Sequence, residues 1–277
     1  MNEVTIVCCY NNLKTYNDFV NTLKAQTCPC EIIGIDNRDN KAFTSCAGAY
    51  NSVKDQINTK YVIYSHQDIL LTEPDTLAKF VSYLDRINAD DILGVAGARA
   101  DIIGFYSNIK HVLSTSGKIV DAGWYPVKGG IMECDTVDEC FFGGYAEHFK
   151  KYPFDEVVCS NWHLYAVEAC LHTKSKLLVG GGYNVYVCDT VLLHLSSGNT
   201  TRTFYYGCYR VCRKYSKEFP VIAATTGRFK TDWPHAFCFL IWNLIFPSKS
   251  AKGIIINILR RTGLYGAVRK LKKILLR

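Results

Sequence analysis

After Asp232 the sequence has no acidic residue, although nine basic ones follow: Lys249, Lys252, Arg260, Arg261, Arg269, Lys270, Lys272, Lys273 and Arg277. The 277-residue chain has a formal charge of +7, so everything outside that tail comes to a net −2. A near-neutral body with a cationic end is not a uniformly basic nucleic-acid binder, and no nucleic-acid partner is expected. No export signal is expected either. "MNEVTIVCCY" carries an acidic residue where such a signal has a basic one, and its apolar run ends quickly at Asn11 and Asn12. No run reaches the roughly 20 apolar residues needed to span a bilayer; "WPHAFCFLIWNLIF" (233–246) stops at 14. Nor does any G-x-G-x-x-G follow the first apolar run, which counts against NAD enzymes and typical methyltransferases.

Paired cysteine spacings are also wanting. The thirteen cysteines are odd in number and scattered, and several sit inside apolar runs (Cys8, Cys9, Cys170, Cys188, Cys238). They read as small hydrophobes in a reducing cytoplasm, and neither "CPC" (28–30) nor "CYRVC" (208–212) has the paired spacing of structural zinc. What the chain does have is 48% hydrophobic residues, enough for one large domain or a domain with an appendage.

Periodicity organises the first hundred residues. "VTIVCCY" (4–10) reads as a buried strand, and Tyr16, Phe19, Val20 and Leu23 then recur at helical spacing. "EIIGID" (31–36) is a second strand, and Cys46, Tyr50, Val53 and Ile57 mark a second helix. "YVIYSHQDILL" (61–71) opens with a third strand, followed by a helix with Leu77, Phe80, Val81, Leu84 and Ile87 on one face and Asp75 near its cap. "ILGVAG" (92–97) is a fourth strand. Strands alternating with helices of this length predict an α/β fold with a mostly parallel sheet flanked by helices, and ligands bound outside the strands' carboxyl ends.

The strand endings are therefore where function is sought. The first ends at Cys9, Tyr10 and Asn11, the second at Asp36, and the third at Ser65, His66, Gln67 and Asp68. Asp36 is either a turn former or a ligand for ribose or base. Asp68 is followed by Ile69, Leu70 and Leu71, so its carboxylate is flanked by apolar chain, where an unpaired charge is costly and a divalent cation is a natural partner. A cation there would neutralise a departing pyrophosphate, and His66, expected on the same side of an extended segment, could contact phosphate or metal.

The segments "VTIVCCYNN", "IIGIDNRDN", "AYNSV" and "YVIYSHQDILL", with the later "VDECFFGG" and "FDEVVCSNWHLYAVEACL", resemble family 2 glycosyltransferases of the GT-A fold, in particular a bacterial branch whose metal motif reads HQD instead of DxD. The resemblance runs over about residues 4–198. It implies a GT-A domain over 1–220, with a Rossmann-like nucleotide-sugar half over 1–100 and an acceptor half over 101–220; beyond it, 221–277 is expected to be a C-terminal apolar and cationic, membrane-associating helical segment. Donor binding would fall to Cys9, Tyr10, Asn11, Asp36, Asn51, His66, Gln67 and Trp162, and Asp68 with His194 would hold Mn²⁺ or Mg²⁺. The implied reaction moves a sugar from a nucleotide donor, UDP-linked in the first instance, to a surface polysaccharide or lipid-linked glycan.

The sequence departs from that pattern at the catalytic base. Such enzymes carry an acidic pair near the start of the helix behind the acceptor, and here the expected base position is Ala166. Glu168 and His163 lie close to it on the helix, and Asp138 and Glu139 are further candidates. Against these stand an exposed carboxylate for Glu168 and simple aromatic packing for His163 and Trp162. Ala166 also keeps open a catalytically inactive donor-binding subunit. A nucleotidyltransferase would need a Gly-rich basic loop after the first strand, which is missing. The tail, with Ile256, Leu259, Leu264, Val268, Leu271 and Leu275 among its cations, predicts an amphipathic anchor on an anionic membrane surface over residues 248–277. The expected location is thus cytoplasmic and peripheral to the inner membrane face; homo-oligomer formation stays open.

Overall fold

The computed structural model describes residues 3–113, 116–179, 182–195, 201–245 and 266. The first elements are β1 (Val4–Tyr10), α1 (Leu13–Lys24), β2 (Glu31–Asp36), α2 (Cys46–Asn51), β3 (Tyr61–Ser65), the two-residue β4 (Ile69–Leu70) and α3 (Thr76–Leu84). Helix α1 begins where the Asn12 side chain accepts the Thr15 N–H, and it buries Phe19 and Leu23. Helix α2 begins in the same way, with Ser45 accepting the Gly48 N–H. It ends earlier than the spacing predicts, and Lys54–Gln56 continues only as a 3₁₀ turn. There the Ser52 hydroxyl bonds back to the Ala49 carbonyl and the Asn51 amide reaches the Phe154 carbonyl, so polar side chains compete with further helix. Asp75 occupies the N-cap of α3 without a side-chain cap bond. Gln26, beyond the end of α1, accepts the Leu77 N–H at 2.9 Å instead.

The remaining elements of the body are β5 (Ile92–Gly94), β6 (Ala96–Ala98), β7 (Phe105–Ser107), β8 (Lys110–Val112), β9 (Ile119–Asp121), β10 (Ile131–Cys134), β11 (Thr136–Val137), β12 (Phe141–Tyr145), α4 (Ala146–Lys151), α5 (Tyr165–Lys174), α6 (Lys176–Val179), β13 (Val185–Cys188) and β14 (Leu193–His194). Seven strands form the central sheet in the order β10-β13-β5-β12-β3-β1-β2. β2, β1, β3, β5 and β13 run one way, and only β12 and β10 oppose them, so the sheet is mostly parallel in direction. The expected single strand over 92–97 divides at Val95: β5 stays in this sheet while β6 pairs with β7 and β11 in a small one. Glycine permits the crowding there, since a Cβ on Gly94 would lie 2.6 Å from Val137 Cβ. At Gly143, in the middle of β12, a Cβ would lie 2.0 Å from the Val62 carbonyl oxygen.

Every residue of β3 is buried, as a strand covered on both faces requires. Its alternation divides the core: Tyr61 and Ile63 pack with Phe19, Phe80 and Phe141 on one face, and Val62 and Tyr64 with Tyr50, Phe142, Phe149 and Phe154 on the other. All thirteen cysteines are free and nine are buried, in keeping with their placement in apolar runs.

The chain divides into two compact units: Met1–Gly198 with Ala223–Arg228, and Asn199–Ile222 with Phe229–Arg277. The second contains α7 (Arg202–Tyr215) and α8 (Trp233–Ile245); the hairpin β15 (Val221–Ala224) and β16 (Gly227–Lys230) is shared by the division. Helix α7 buries Phe204, Tyr205, Cys208, Val211, Cys212 and Tyr215 and meets α8 through Tyr205 and Phe239, whose ring centroids are 5.7 Å apart. The proposed anchor over 248–277 lies outside the described residues except for Gly266. Among the described residues no helix is long and apolar enough to cross a membrane.

His148 ties α4 to α5. It is 3% exposed, with Nδ1 3.1 Å from Asp90 Oδ1 and Nε2 3.0 Å from Thr173 Oγ1. A neutral ring with its proton on Nδ1 satisfies both partners. Burial depresses its pKa despite Asp90, so the unfolded chain takes up this proton more readily than the folded one. The sign follows: stability attributable to His148 is full above the unfolded histidine value of about 6.5 and falls as pH drops through it toward the lower folded value. Urea titrations from pH 7.5 to 5 should show this loss, and it should be smaller in His148→Gln than in the parent chain.

Candidate active site

The site lies beyond the carboxyl ends of β1, β2 and β3. A cavity of about 290 Å³ is lined there by Cys9, Tyr10, Asn11, Asn37, Asn40, Cys46, Tyr50, His66, Gln67, Asp68, Trp162 and Tyr165. Its floor is the end of β1: Tyr10 stacks on Tyr16 with ring centroids 4.0 Å apart and is in register with Asp36 of β2. Asp36 itself does not line the cavity. Arg38 grips its carboxylate at 2.6–2.9 Å, and these hydrogen bonds hold it below the usual carboxylate range. The Asn-rich turn after β2 supplies Asn37 and Asn40 in its place, Asn40 in the left-handed region with φ 52°.

β3 ends when His66, still donating its N–H to the Cys140 carbonyl, gives way to a turn at Gln67 and Asp68. The segment is thus not extended as expected, yet the turn still brings His66 and Asp68 together, with Nδ1 4.0 Å from Oδ1. His194 arrives from another direction. β14 pairs antiparallel with β4, placing His194 opposite Ile69, and its Nε2 lies 3.3 Å from Asp68 Oδ1. His66, Asp68 and His194 each offer a ligand atom within 4.8 Å of the others, the one such cluster among the described residues.

The cluster suits a divalent cation. The Tyr165 hydroxyl donates to the Glu139 carbonyl at 3.3 Å and lies 3.2 Å from His66 Nε2. With that hydroxyl proton committed, Nε2–H of His66 is the donor, and the Nδ1 lone pair is left on the Asp68 side. His194 Nε2 is buried without a hydrogen bond of proper geometry. Burial alone would depress its pKa, but the Asp68 charge raises it, with help from Asp138. His66 is shifted the other way, because desolvation and His194 outweigh the pull of Asp68. Two imidazoles and a carboxylate therefore converge on one point where a cation would satisfy all three.

His111 belongs to the same neighbourhood and was not anticipated from the sequence. β8 pairs parallel with β14, aligning His111 with His194, and their ring centroids are 5.0 Å apart. Nothing in the spacing of "NIKHV" announces this, because the partner strand is some eighty residues away in sequence.

None of the four base candidates lines the cavity, and they separate by their surroundings. Trp162 lines the cavity, and His163 beside it is half-buried, its pKa lowered by desolvation and by His66. Asp138 accepts hydrogen bonds from the Thr225 hydroxyl and the Cys140 N–H; although desolvation opposes it, Thr225 and His66 keep its pKa low. Glu139 is pushed well up by burial and by the Asp138 charge, and it accepts the Leu164 and Tyr165 N–H groups at the head of α5. A carboxyl that keeps its proton is poorly suited to take another. Glu168 is 2% exposed, not an exposed helix carboxylate, and does not line the cavity. Ala166 is fully buried in the core. Asn51 also lies off the cavity, its amide held by Phe154 and Glu156.

A mostly parallel sheet with the site at its carboxyl edge is the architecture of GT-A glycosyltransferases. The chain belongs to the "Glycosyltransferase like family", whose profile matches residues 5–190. Similar solved structures include the mannosyltransferase PcManGT from Pyrobaculum calidifontis in complex with GDP-Man and Mn²⁺, at 14% identity and TM-score 0.50, covering 99% of this chain and 84% of that one. GalNAc-T7 with UDP, GalNAc and Mn²⁺ is similar at 8% identity and TM-score 0.51, over 79% of this chain and 51% of the other. TarS of S. aureus in complex with UDP-GlcNAc is similar at 14% identity and TM-score 0.49, over 76% of this chain and 66% of that one. The chain thus spans from about half to two thirds of the length of the last two. No curated protein sequence matches it.

Gln67 lines the cavity and also has a local task. Its Oε1 accepts the Asn11 and Asn12 N–H groups at 3.1 and 2.9 Å, and its Nε2 donates to Asn11 Oδ1 at 2.7 Å. It thereby fixes the β1 exit against the turn that carries Asp68. Gln67→Leu should cost about 1–2 kcal/mol in a urea titration, the scale of two or three solvent-accessible hydrogen bonds, while Gln67→Glu, which keeps the acceptor oxygen, should lose less.

Proposed function

We propose that this chain transfers a glycosyl group from a nucleotide sugar, UDP-linked in the first instance, to a glycan acceptor carried on a surface polysaccharide or a lipid. The observation that carries the reading is chemical. Among the described residues the cavity lining has no Lys or Arg, so a nucleoside diphosphate entering it has only histidines and a cation at His66, Asp68 and His194 to balance its charge. The nucleotides and Mn²⁺ present in PcManGT and GalNAc-T7 are in keeping with this.

The chain's own residues divide the work. Tyr10, stacked on Tyr16, offers a flat face to the base, and Asn40 offers an amide group near the ribose, while the Asn37 amide, held by the Phe43 backbone, shapes the turn that carries it. Asp68 and His194 would hold the cation, with His66 oriented beside them by Tyr165. That cation, when bound, offsets the negative charge that develops on the departing diphosphate. His163, next to Trp162 of the cavity wall and with its pKa lowered by burial and by His66, is the base we assign for the acceptor hydroxyl, with Asp138 second. Residues 248–277 would hold the chain against an anionic membrane, where a lipid-linked acceptor resides.

A second reading, a donor-binding subunit without turnover, draws on the buried Ala166 at the expected base position. Release of nucleoside diphosphate from a panel of nucleotide sugars, with Mn²⁺ and a membrane extract, separates the two. Under the transfer reading Asp68→Asn lowers turnover by orders of magnitude and weakens Mn²⁺ binding followed by electron paramagnetic resonance, while circular dichroism is unchanged. Near-normal turnover in that variant at saturating Mn²⁺ would remove Asp68 from the mechanism.

Two further outcomes test the details. His163→Ala should lose about 10²- to 10⁴-fold in rate with its thermal midpoint preserved; if it does not and Asp138→Asn does, the base is Asp138. Because two of three ligands are imidazoles, Mn²⁺ should bind more tightly than Mg²⁺ in competition titrations. Equal affinity for the two ions would mean that the histidines do not coordinate.

A further inference from the structure

Helix α8 is apolar on the side that faces away from its own unit. Ala236, Leu240 and Asn243 are buried, whereas Trp233, Phe237 and Ile241, one turn apart in succession, are 53%, 40% and 37% exposed. Trp233 and Phe237 stack on each other with centroids 5.4 Å apart. A helix of 13 residues that is apolar all round is not expected to face water on one side.

The surroundings of that stripe are cationic. Phe237 touches Tyr209 of α7, centroids 6.4 Å apart, and the exposed positions of α7 near it are Tyr206, Arg210 and Arg213, followed by Lys214 and Lys217. Among its described residues, the unit formed by Asn199–Ile222 and Phe229–Arg277 has six basic and two acidic residues. One of the two, Asp232, is turned onto His235 at the head of α8. A second copy of so cationic a surface would be repelled, and a nucleic acid has no use for an apolar stripe. Aromatic and aliphatic side chains ringed by Arg and Lys, with almost no carboxylate, match the interface of an anionic bilayer.

We propose that the exposed face of α8, with Trp233, Phe237 and Ile241 entering the acyl boundary and the outer residues of α7 on the headgroups, is a lipid-docking surface. It is distinct from the tail over 248–277 and does not depend on the transfer reaction. Phe237 and Ile241 supply apolar contact, while Arg210 and Arg213 supply the preference for negative lipid.

The test uses the full chain and sedimentation with phosphatidylcholine vesicles, with or without phosphatidylglycerol. Combined Phe237→Ser and Ile241→Ser should lower partitioning onto the anionic vesicles by about tenfold or more, while Phe237→Leu with Ile241→Leu keeps it; circular dichroism and thermal midpoint confirm that both variants are folded. Brominated lipid should quench the tryptophan emission of the parent chain, and Trp233→Phe should remove most of that quenching. A tail variant with Arg260, Arg261, Lys270 and Lys272 replaced by Gln should bind less but still show Trp233 quenching in its bound fraction. The proposal is overturned if brominated lipid leaves Trp233 unquenched, or if the Ser variant partitions like the parent. It is overturned equally if the Ser variant merely turns a dimer into a monomer by light scattering with vesicle binding unaltered, which would make the stripe a contact between copies.

Discussion

Strand β3 is paired on both sides almost to its end, with β1 through Tyr64 and with β12 through Ser65. A strand so enclosed carries only side chains that can be buried, and polar chemistry has to wait until the pairing stops. His66 uses its last backbone bond on Cys140, and the chain then turns, delivering Gln67 to the β1 exit and Asp68 to the cation cluster. The position of that turn decides which groups meet. A strand one residue longer would send every following side chain to the opposite face, removing His66 from Tyr165 and Asp68 from His194 together.

The electrostatics of the site follow from the same placement. Desolvation near the sheet edge makes each charge dependent on a partner. Asp68 and Asp138 are acidic, and they are faced by His66, His111 and His194 instead of Lys or Arg. Histidine can leave a lone pair for a cation, which a guanidinium cannot, and that is the physical difference between a metal-binding edge and a structural ion pair. Glu139 is removed from this balance by its own burial, and its bonds to the head of α5 make it a device for holding Tyr165 against His66.

Much of this was legible in the sequence where contacts are local. β1 and β3 are almost wholly apolar runs, β2 carries Ile32, Ile33 and Ile35, and Asn12 and Ser45 are ordinary caps, so these elements fall where periodicity puts them. His66, Gln67 and Asp68 stood out in the sequence because an abrupt polar stop inside an apolar run has few structural uses. Other features depend on partners distant in sequence. His111 meets His194 only through the β8–β14 pairing, Asn51 is diverted by Phe154 and Glu156, and Asp36 by Arg38 in a turn whose shape the sequence leaves open. The division of "ILGVAG" at Val95 likewise needed Val137, which occupies the space beside Gly94.

Charge is divided unevenly between the two units. The unit of Met1–Gly198 with Ala223–Arg228 has twenty-three acidic and seventeen basic residues, whereas the other has two and fifteen. Had the cationic residues served to attract an anionic donor, they would be expected around the cavity, yet its lining has none among the described residues. A negative body also gains nothing by approaching an anionic surface, so the proposed attraction to one would be concentrated in the small unit, where each cation acts within a Debye length of about 10 Å at ordinary salt. On the proposed reading, recognition of the donor at a localised cation site and attraction to a surface by a diffuse cationic unit would be separable: raising ionic strength would weaken the second far more than the first, because only the first is partly buried.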